Sequence, residues 1–223
     1  MAGGRGRWAA AAARGLATRA SSKAWVRRQA KDPFVRERKE SGYRARSAFK
    51  LAELDDRLRL LRPGRSVVDL GAAPGGWTQV ALERMSGQGS VVMSDLLPIE
   101  PLPGAAFVQG DFQDPAVRQQ ILERAGGGAV DLVLSDMAPN TTGNADADHL
   151  RQIDLAEDAF STALELLRPD GAFLVKVFSG REDAAFARDM QAAFLEFKRI
   201  KPKACRAESR ELYFFGRGLR SKR

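Results

Sequence analysis

Short apolar segments alternate with stretches of helical length through most of this sequence. In chain order the segments are SVVDL, SVVMSD, AFVQGD, DLVLSD and AFLVKVF, which begin at residues 66, 90, 106, 131 and 172. A strand, a connection of helical length and another strand form the βαβ pattern, which builds a parallel sheet with helices on both faces. The alternation therefore predicts an α/β fold of the Rossmann-like, doubly wound type.

Two further strand-like segments, FKRIKP and ELYFFG, lie near the C-terminal end without a helix between them. Consecutive strands with a short connection pair most simply as an antiparallel hairpin. The full prediction is a mostly parallel sheet of seven strands with an antiparallel edge strand.

One helix is predicted ahead of the sheet, in SAFKLAELDDRLRLL. Its apolar residues at near-helical spacing are Phe49, Leu54, Leu58 and Leu61. We expect Ser47 to cap the start of this helix, and Pro63 followed by Gly64 to end it.

The chain has 223 residues, which is enough for one such domain but not for two. We expect a disordered basic segment at residues 1–22, a folded domain at 23–217 and a basic tail at 218–223, in a monomer. No acidic residue precedes Asp32, so the first segment suits either a mitochondrial transit peptide or a basic RNA-binding arm. The apolar run from Trp8 to Ala13 is too short to span a membrane, and no membrane association is expected.

The balance of charge and the scarcity of two residue types narrow the functions available. A net charge of +8 favours a polyanionic partner, with nucleic acid as the default. The only cysteine, Cys205, cannot form an internal disulfide or a cysteine-based zinc site, so nothing requires an oxidising compartment. The only histidine, His149, rules out multi-histidine metal sites. We expect His149 at the surface or at a helix start, and we predict no metal.

The segment VVDLGAAPGGWTQVALERM has the character of a ligand-binding loop. It leads from a strand through a glycine-rich turn into a helix, where backbone N–H groups around Gly71 and Gly75 can approach a ligand closely. A nicotinamide-dinucleotide fingerprint counted from Gly71 requires glycine where this chain has Ala73, although Gly76 satisfies the third glycine. The dinucleotide interpretation is therefore weakened.

Two acidic residues at successive strand ends indicate an adenosine. Asp95 ends the second strand, 20 positions after Gly75 (95 − 75), where its carboxylate can accept hydrogen bonds from ribose hydroxyls. Asp111 closes the third strand and can accept a hydrogen bond from an adenine amino group, with Phe112 beside the base. Either residue alone would also suit a turn. Together they lie at the carboxyl edge of the sheet, where such folds bind ligands.

Lys176 interrupts the apolar strand AFLVKVF. An ammonium without a partner is costly to bury, so this side chain either extends to solvent or is held by a carboxylate at a functional site. The strand by itself does not decide between them.

Six motifs occur in a fixed order along the chain: DLGAAPGGW, SDLLP, GDF, SDMAPN, FLVKVF and SRELYF. By these motifs the chain resembles the FtsJ/RrmJ (RlmE) family of RNA ribose 2′-O-methyltransferases over residues 24–216. The resemblance implies the class I methyltransferase fold and S-adenosylmethionine as cofactor. It implies cofactor contacts by Gly75, Trp77, Asp95, Asp111 and Asp136. It also implies a catalytic tetrad of Lys50, Asp136, Lys176 and Glu211.

Within that tetrad we expect Lys176 to be the central residue. A free lysine has a pKa of about 10.4 and is mostly protonated at neutral pH. Lys50 and burial would lower the pKa of Lys176, whereas Asp136 and Glu211 would raise it. Lys176 is therefore either the base that deprotonates the 2′-hydroxyl or a charged group that orients it while Asp136 receives the proton.

Methylation at a 2′-hydroxyl implies an RNA substrate, and basic stretches near the start of the domain are the expected phosphate contacts. The predicted RNA-binding residues are Arg27, Arg28, Arg36, Arg38, Lys39, Arg44 and Arg46. Tyr43 and Phe49 could stack on a base, although a packing role is favoured for both. The resemblance implies a uridine of large-subunit ribosomal RNA on a nearly assembled subunit, in the bacterial cytoplasm.

Several alternatives remain open at this stage. The same reaction on mitochondrial large-subunit RNA, in the mitochondrial matrix, or on transfer RNA or messenger cap structures would use the same motifs. A non-catalytic ribosome-assembly factor would keep the fold, but the intact tetrad argues against it. A nicotinamide-dependent oxidoreductase is disfavoured by Ala73.

Overall fold

The computed structural model describes residues 41–139, 142–206 and 209–220. The predicted segment at 1–22, the first part of the predicted domain and the last three residues lie outside the described residues. No helix in the described part of the chain is long and apolar enough to cross a membrane.

Seven strands form one sheet in the order β3-β2-β1-β4-β5-β7-β6. Their bounds are β1 Arg65–Leu70, β2 Gly89–Asp95, β3 Ala105–Gln109, β4 Val130–Ser135, β5 Leu167–Phe178, β6 Phe194–Ile200 and β7 Glu211–Leu219. Strands β1 to β5 pair in parallel, and β7 pairs antiparallel with both β5 and β6. The predicted α/β, doubly wound and mostly parallel sheet is confirmed, and the last two strands form the predicted hairpin. The second strand of this hairpin is inserted next to β5, which leaves β6 at the edge.

Five helices cover the two faces of the sheet within the described residues. Their bounds are α1 Ala48–Leu58, α2 Gly76–Arg84, α3 Pro115–Arg124, α4 Ala145–Leu166 and α5 Asp183–Ala193. Successive residues of a strand point to opposite faces. Thus Val68 belongs to the apolar core under α3, α4 and α5, and its neighbour Val67 belongs to the core under α1 and α2. Both faces are buried, as the apolar strand sequences require.

Helix α1 is shorter than predicted. It ends at Leu58, and the next residue, Arg59, has a left-handed backbone with a φ of 52°. The cause is Asp55, whose Oδ1 accepts hydrogen bonds from the backbone N–H groups of Leu60 and Leu61 at 2.7 and 2.8 Å. Those bonds end the helix before Pro63, so the predicted end was wrong. Ser47 does precede the helix, but its side chain makes no capping bond.

Strand β7 runs to Leu219, two residues beyond the expected domain boundary at 217. In its pairing with β5, Tyr213 lies opposite Lys176 and Glu211 lies opposite Phe178. The start of β7 therefore lies at the edge where β5 ends.

Candidate active site

The carboxyl ends of the parallel strands meet at one edge of the sheet, and the predicted site residues collect there. Asp95 ends β2, Asp136 follows β4, and Lys176 lies near the end of β5. Glu211 begins β7 at this edge because β7 runs the other way. Helix α1 adds Lys50 from the covering layer, through its contact with Glu211. The topology thus brings together residues from positions 50 to 211.

The glycine-rich loop between β1 and α2 turns sharply at two positions. Gly71 has a φ of 70° and Gly75 a φ of 103°, a backbone region that favours glycine. A Cβ atom at Gly71 would lie 2.0 Å from Cγ of Met137, so the loop tolerates no larger residue there without a shift. The N–H groups of Gly71 and Ala72 donate to the carbonyl oxygen of Ser94, which ties the loop to β2.

Asp95 and Asp111 lie half-buried at the ends of neighbouring strands. Asp95 accepts hydrogen bonds from the N–H of Ala73 at its Oδ2 and from the N–H of Leu97 at its Oδ1, both at 2.8 Å. Asp111 accepts one from the N–H of Gln113 at 2.9 Å. Phe112 is buried in the core beside Ile121. The two carboxylates are therefore held in fixed positions side by side, partly open to a ligand.

The side chain of Trp77 is buried in the protein core. Its Nε1–H donates to the carbonyl oxygen of Ser47 at 2.9 Å, and its ring centroid lies 5.7 Å from that of Tyr213. The indole thereby joins the segment before α1 to the sheet. The cofactor contact predicted for Trp77 stays a prediction, and the backbone at the start of α2 is the part of this residue nearest the glycine loop.

Lys176 is held by a carboxylate and does not extend to solvent. Its Nζ donates to the backbone carbonyl oxygen of Asp136 at 2.5 Å and lies 3.2 Å from Oδ1 of the same residue. The side chain is 6% exposed, so this ammonium depends on Asp136 for its charge balance. The apolar strand alone did not decide whether Lys176 extends to solvent or is held by a carboxylate.

Lys50 and Glu211 form a second pair, with 2.7 Å between Nζ and Oε2. Burial raises the pKa of Glu211, but the positive charges of Lys50 and Lys176 outweigh burial and keep this pKa below its usual value. Glu211 therefore remains a carboxylate at neutral pH. All four tetrad residues predicted from the resemblance lie in these two ion pairs.

Tyr213 connects the two pairs and was not predicted from the sequence. Its hydroxyl donates to Oδ1 of Asp136 at 2.7 Å, and Lys50 Nζ lies 6.0 Å from its ring centroid. Burial, followed by the charge of Asp136, raises its pKa well above the usual value, so the hydroxyl keeps its proton. The signal available in the sequence was the motif SRELYF, in which Tyr213 follows Glu211 by two positions and so lies on the same face of β7.

Asp69 was also missed. This residue of β1 is fully buried, and its Oδ2 accepts a hydrogen bond from the hydroxyl of Thr78 at 2.7 Å. Burial raises its pKa to about 7, and the negative charges of Asp136 and Asp95 act in the same direction. An acidic residue inside the apolar strand SVVDL was as conspicuous as the lysine in AFLVKVF.

His149 lies buried in α4, and its bonds are to Glu182 and not to the tetrad. Its Nε2 is 3.2 Å from the backbone nitrogen of Glu182 and 2.8 Å from Oε2 of the same residue. His149 lies near the start of α4, which confirms one of the two expected positions, but it is not at the surface because α4 packs this side against the turn that follows β5.

Only two of the predicted RNA-binding residues lie within the described residues. The guanidinium of Arg44 donates to the carbonyl oxygens of Pro74, Glu100 and Pro101 at 3.3, 2.6 and 2.9 Å. Arg46 donates to the carbonyl oxygen of Ala204 at 2.9 Å. Both side chains brace loops around the site. The other five, Arg27, Arg28, Arg36, Arg38 and Lys39, lie outside the described residues.

Tyr43 and Phe49 pack against each other, as the favoured interpretation had it. Their ring centroids are 5.5 Å apart in an edge-on arrangement, and the hydroxyl of Tyr43 donates to Glu83 at 2.5 Å.

Together, the strand order with an inserted antiparallel strand, the glycine loop after β1 and the carboxylates at the next two strand ends define a Rossmann-like methyltransferase. Comparison with known proteins gives the family. A model of the FtsJ-like methyltransferases matches residues 43–219, and the chain belongs to that family. This membership argues against the nicotinamide-dependent alternative.

Relatives with curated names agree with this assignment. The chain is 50% identical over 200 residues to a ribosomal RNA large subunit methyltransferase E from Azoarcus sp. (strain BH72), covering 90% of this chain and 98% of that protein. It is 46% identical over 198 residues to a protein of the same name from Acinetobacter baylyi, covering 89% and 92%. A crystal structure from Plasmodium falciparum, assigned as a ribosomal RNA methyltransferase, superposes with a TM-score of 0.73 at 27% identity, covering 79% of this chain and 98% of that one.

Proposed function

We propose that this enzyme transfers a methyl group from S-adenosylmethionine to the ribose 2′-hydroxyl of a uridine in large-subunit ribosomal RNA. The observation that carries the proposal is the buried ammonium of Lys176, fixed by Asp136 beside the Lys50–Glu211 pair at the edge of the sheet that holds the glycine loop. The names of the relatives supply the class of RNA.

The residues at the carboxyl edge fit the proposed methyl donor. Asp95 and Asp111 offer two fixed, half-buried carboxylates to the hydroxyl and amino groups of an adenosine. Gly71 and Gly75 supply the positive φ values that turn the chain from β1 into α2, so that the backbone N–H groups at the start of α2 can approach a ligand at the carboxyl edge. S-adenosylmethionine, if bound there, would supply an electrophilic methyl group on a positively charged sulfur, and the ribose oxygen that accepts this methyl group would have to lose its proton.

Lys176 and Asp136 are placed to handle this proton. An ammonium has three N–H donors. Lys176 directs two of them at the carbonyl oxygen and Oδ1 of Asp136, which leaves the third for the 2′-oxygen. Oδ1 of Asp136 also accepts from Tyr213. Oδ2 has no hydrogen bond from the part of the chain described here, so it can accept the hydroxyl proton. In this proposal Lys176 orients the oxygen and Asp136 receives the proton.

Lys50 and Glu211 keep the site electrically balanced. The tetrad contains two ammonium groups and two carboxylates, which sum to zero when all are ionised. Glu211 stays ionised because its pKa is lowered, so Lys50 retains a partner after the hydroxyl proton reaches Asp136. Positioned charges of this kind stabilise charge that develops during a reaction without having to reorganise.

The 2′-hydroxyl distinguishes RNA from DNA, and the net charge of +8 suits a polyanionic substrate. The relatives at 46 to 50% identity are bacterial proteins named for the large ribosomal subunit. We therefore propose that the reaction takes place on large ribosomal subunits in the bacterial cytoplasm.

The test is transfer of a labelled methyl group from S-adenosylmethionine to large ribosomal subunits purified from cells that lack this protein, followed by mapping of the modified ribose. We expect one 2′-O-methylated uridine. The variant that tests the role of Lys176 is Lys176→Met, which keeps an unbranched side chain but removes the ammonium. We expect this variant to transfer at least about 100-fold more slowly, since removing one positioned donor to an oxygen that develops negative charge costs about 10²–10³ in rate.

Lys176→Met should bind S-adenosylmethionine nearly as the unchanged protein does, because Asp95 and Asp111, which would hold the adenosine, bond to backbone N–H groups and not to Lys176. Donor binding without transfer to any RNA by the unchanged protein would overturn the proposed activity and favour an assembly factor. Full transfer by Lys176→Met would overturn the role of Lys176 alone.

A further inference from the structure

The loop between β6 and β7, residues 201–210, carries clustered positive charge beside the tetrad. By sequence it contains four cationic residues and one carboxylate, namely Lys201, Lys203, Arg206, Arg210 and Glu208. It is described except for residues 207 and 208, and it leads directly into Glu211. Neither the predicted RNA-binding residues nor the tetrad accounts for this cluster.

The first half of the loop is anchored to α1, the helix that carries Lys50. The carboxylate of Glu53 accepts hydrogen bonds from the backbone N–H groups of Lys203 and Ala204 at 2.9 and 3.0 Å. Pro202 and Ala204 are buried, whereas Lys203 between them is exposed. The loop therefore holds its backbone against the protein and turns the side chain of Lys203 outwards.

The second half of the loop is anchored to the end of β5. The N–H of Ser179 donates to the carbonyl oxygen of Arg210 at 2.7 Å, and Nε of Arg210 donates to the carbonyl oxygen of Ser179 at 3.0 Å. Arg210 is exposed, and its neighbour Glu211 pairs across the sheet with Phe178. These contacts hold the exposed side chain of Arg210 at the rim of the proposed active site.

We propose that the β6–β7 loop binds the RNA phosphates next to the target ribose, with Arg210 and Lys203 as the contacting cations. The proposal rests on the proposed function, since it assigns part of the substrate to this loop. A ribose carries a phosphate on each side, so a nucleotide with its 2′-oxygen at Lys176 brings backbone phosphates to the rim. Contacts to phosphates position a nucleic acid without reading its sequence. Arginine suits this role because its planar guanidinium can donate two parallel hydrogen bonds to one phosphate.

The test compares the unchanged protein with the double variant Lys203→Gln, Arg210→Gln. Equilibrium binding to protein-free large-subunit ribosomal RNA is measured across a series of salt concentrations. Each lost phosphate contact should reduce the slope of log affinity against log salt by about 0.7–0.9, so two contacts should reduce it by about 1.4–1.8. On large ribosomal subunits we expect KM to rise at least about fivefold, with affinity for S-adenosylmethionine unchanged.

The matched control is Arg62→Gln, Arg124→Gln, which removes the same charge. Arg62 precedes β1 and Arg124 ends α3, so both are exposed at the opposite edge of the sheet. A salt slope and KM in the loop variant equal to those of this control would overturn the proposal. Because the salt slope is measured without catalysis, a failure of methyl transfer would leave the slope comparison valid, and the two proposals can fail separately.

Discussion

Replacing the buried Asp69 with asparagine should change how the stability of this protein depends on pH. Asp69 lies in β1 beneath the glycine loop with its Oδ2 bonded to Thr78, and burial raises its pKa from a usual 3.8 to about 7. A raised pKa means that the folded state favours the protonated carboxyl. The resulting stability is complete below the unfolded pKa and is lost as the pH rises through about 7.

The size of this effect follows from the two pKa values. Relative to a carboxyl that is ionised in both the folded and the unfolded chain, the raised pKa contributes about 3 kcal/mol at pH 5 and nearly nothing at pH 8. The free energy of unfolding of the unchanged protein should therefore fall by about 3 kcal/mol more between pH 5 and pH 8 than that of Asp69→Asn, whose amide cannot ionise. Asparagine keeps an oxygen that can accept from Thr78.

Urea unfolding at both pH values measures this difference, and Asp170→Asn at an exposed position serves as the control. We expect the control to follow the unchanged protein at both pH values. If Asp69→Asn also loses stability in parallel with the unchanged protein, Asp69 is already ionised at pH 5 and the reasoning from burial is refuted.

Two further substitutions test the donor site. Asp95→Ala removes the acceptor that fixes Ala73 and Leu97, and it should weaken S-adenosylmethionine binding at least about tenfold, since a hydrogen bond to a charged group contributes about 1.5–3 kcal/mol. Isothermal titration calorimetry measures this affinity, with Asp114→Ala as the control. Equal affinities of Asp95→Ala and the unchanged protein would contradict the prediction. Gly71→Ala should lower the free energy of unfolding by about 1–3 kcal/mol, because alanine is strained at a φ of 70° and its Cβ would meet Met137. Gly87→Ala is the control, since Gly87 also has a positive φ but a Cβ there would meet no atom. Equal losses of unfolding free energy in the two variants would show that Met137 moves aside freely.

The strands were predictable because each is a run of apolar residues bounded by turns, and both faces of the sheet are buried. The end of α1 was not predictable from the same pattern. Leu58 and Leu61 continue the helical spacing, but Asp55 bonds to two backbone N–H groups beyond the helix and ends it earlier. A local side-chain bond to the backbone competes with helix continuation and leaves no trace in the apolar periodicity.

The charged residues of the candidate site were predicted from the sequence, but the residues that hold them in place were not. Lys176 and Asp136 stood out because motif order and an interrupted apolar run marked them. Tyr213 resembled any apolar residue of a buried strand, and only the pairing of β7 with β5 shows its hydroxyl at Asp136. For Arg44 the sequence shows a basic residue but not that its guanidinium is bound to three carbonyl oxygens, and the RNA contact stays a prediction.

The reversed direction of β7 explains how residues from both ends of the domain reach one site. A parallel strand in this place would begin at the opposite edge of the sheet and carry Glu211 away from Lys176. Because β7 is antiparallel, its first three residues lie opposite the last three of β5, and Glu211 and Tyr213 face Lys50 and Asp136. Insertion between β5 and β6, rather than addition at the edge, also buries Tyr213 fully and raises its pKa, which keeps its hydroxyl a donor to Asp136. The position of one strand thus sets both the geometry and the protonation of the proposed catalytic centre.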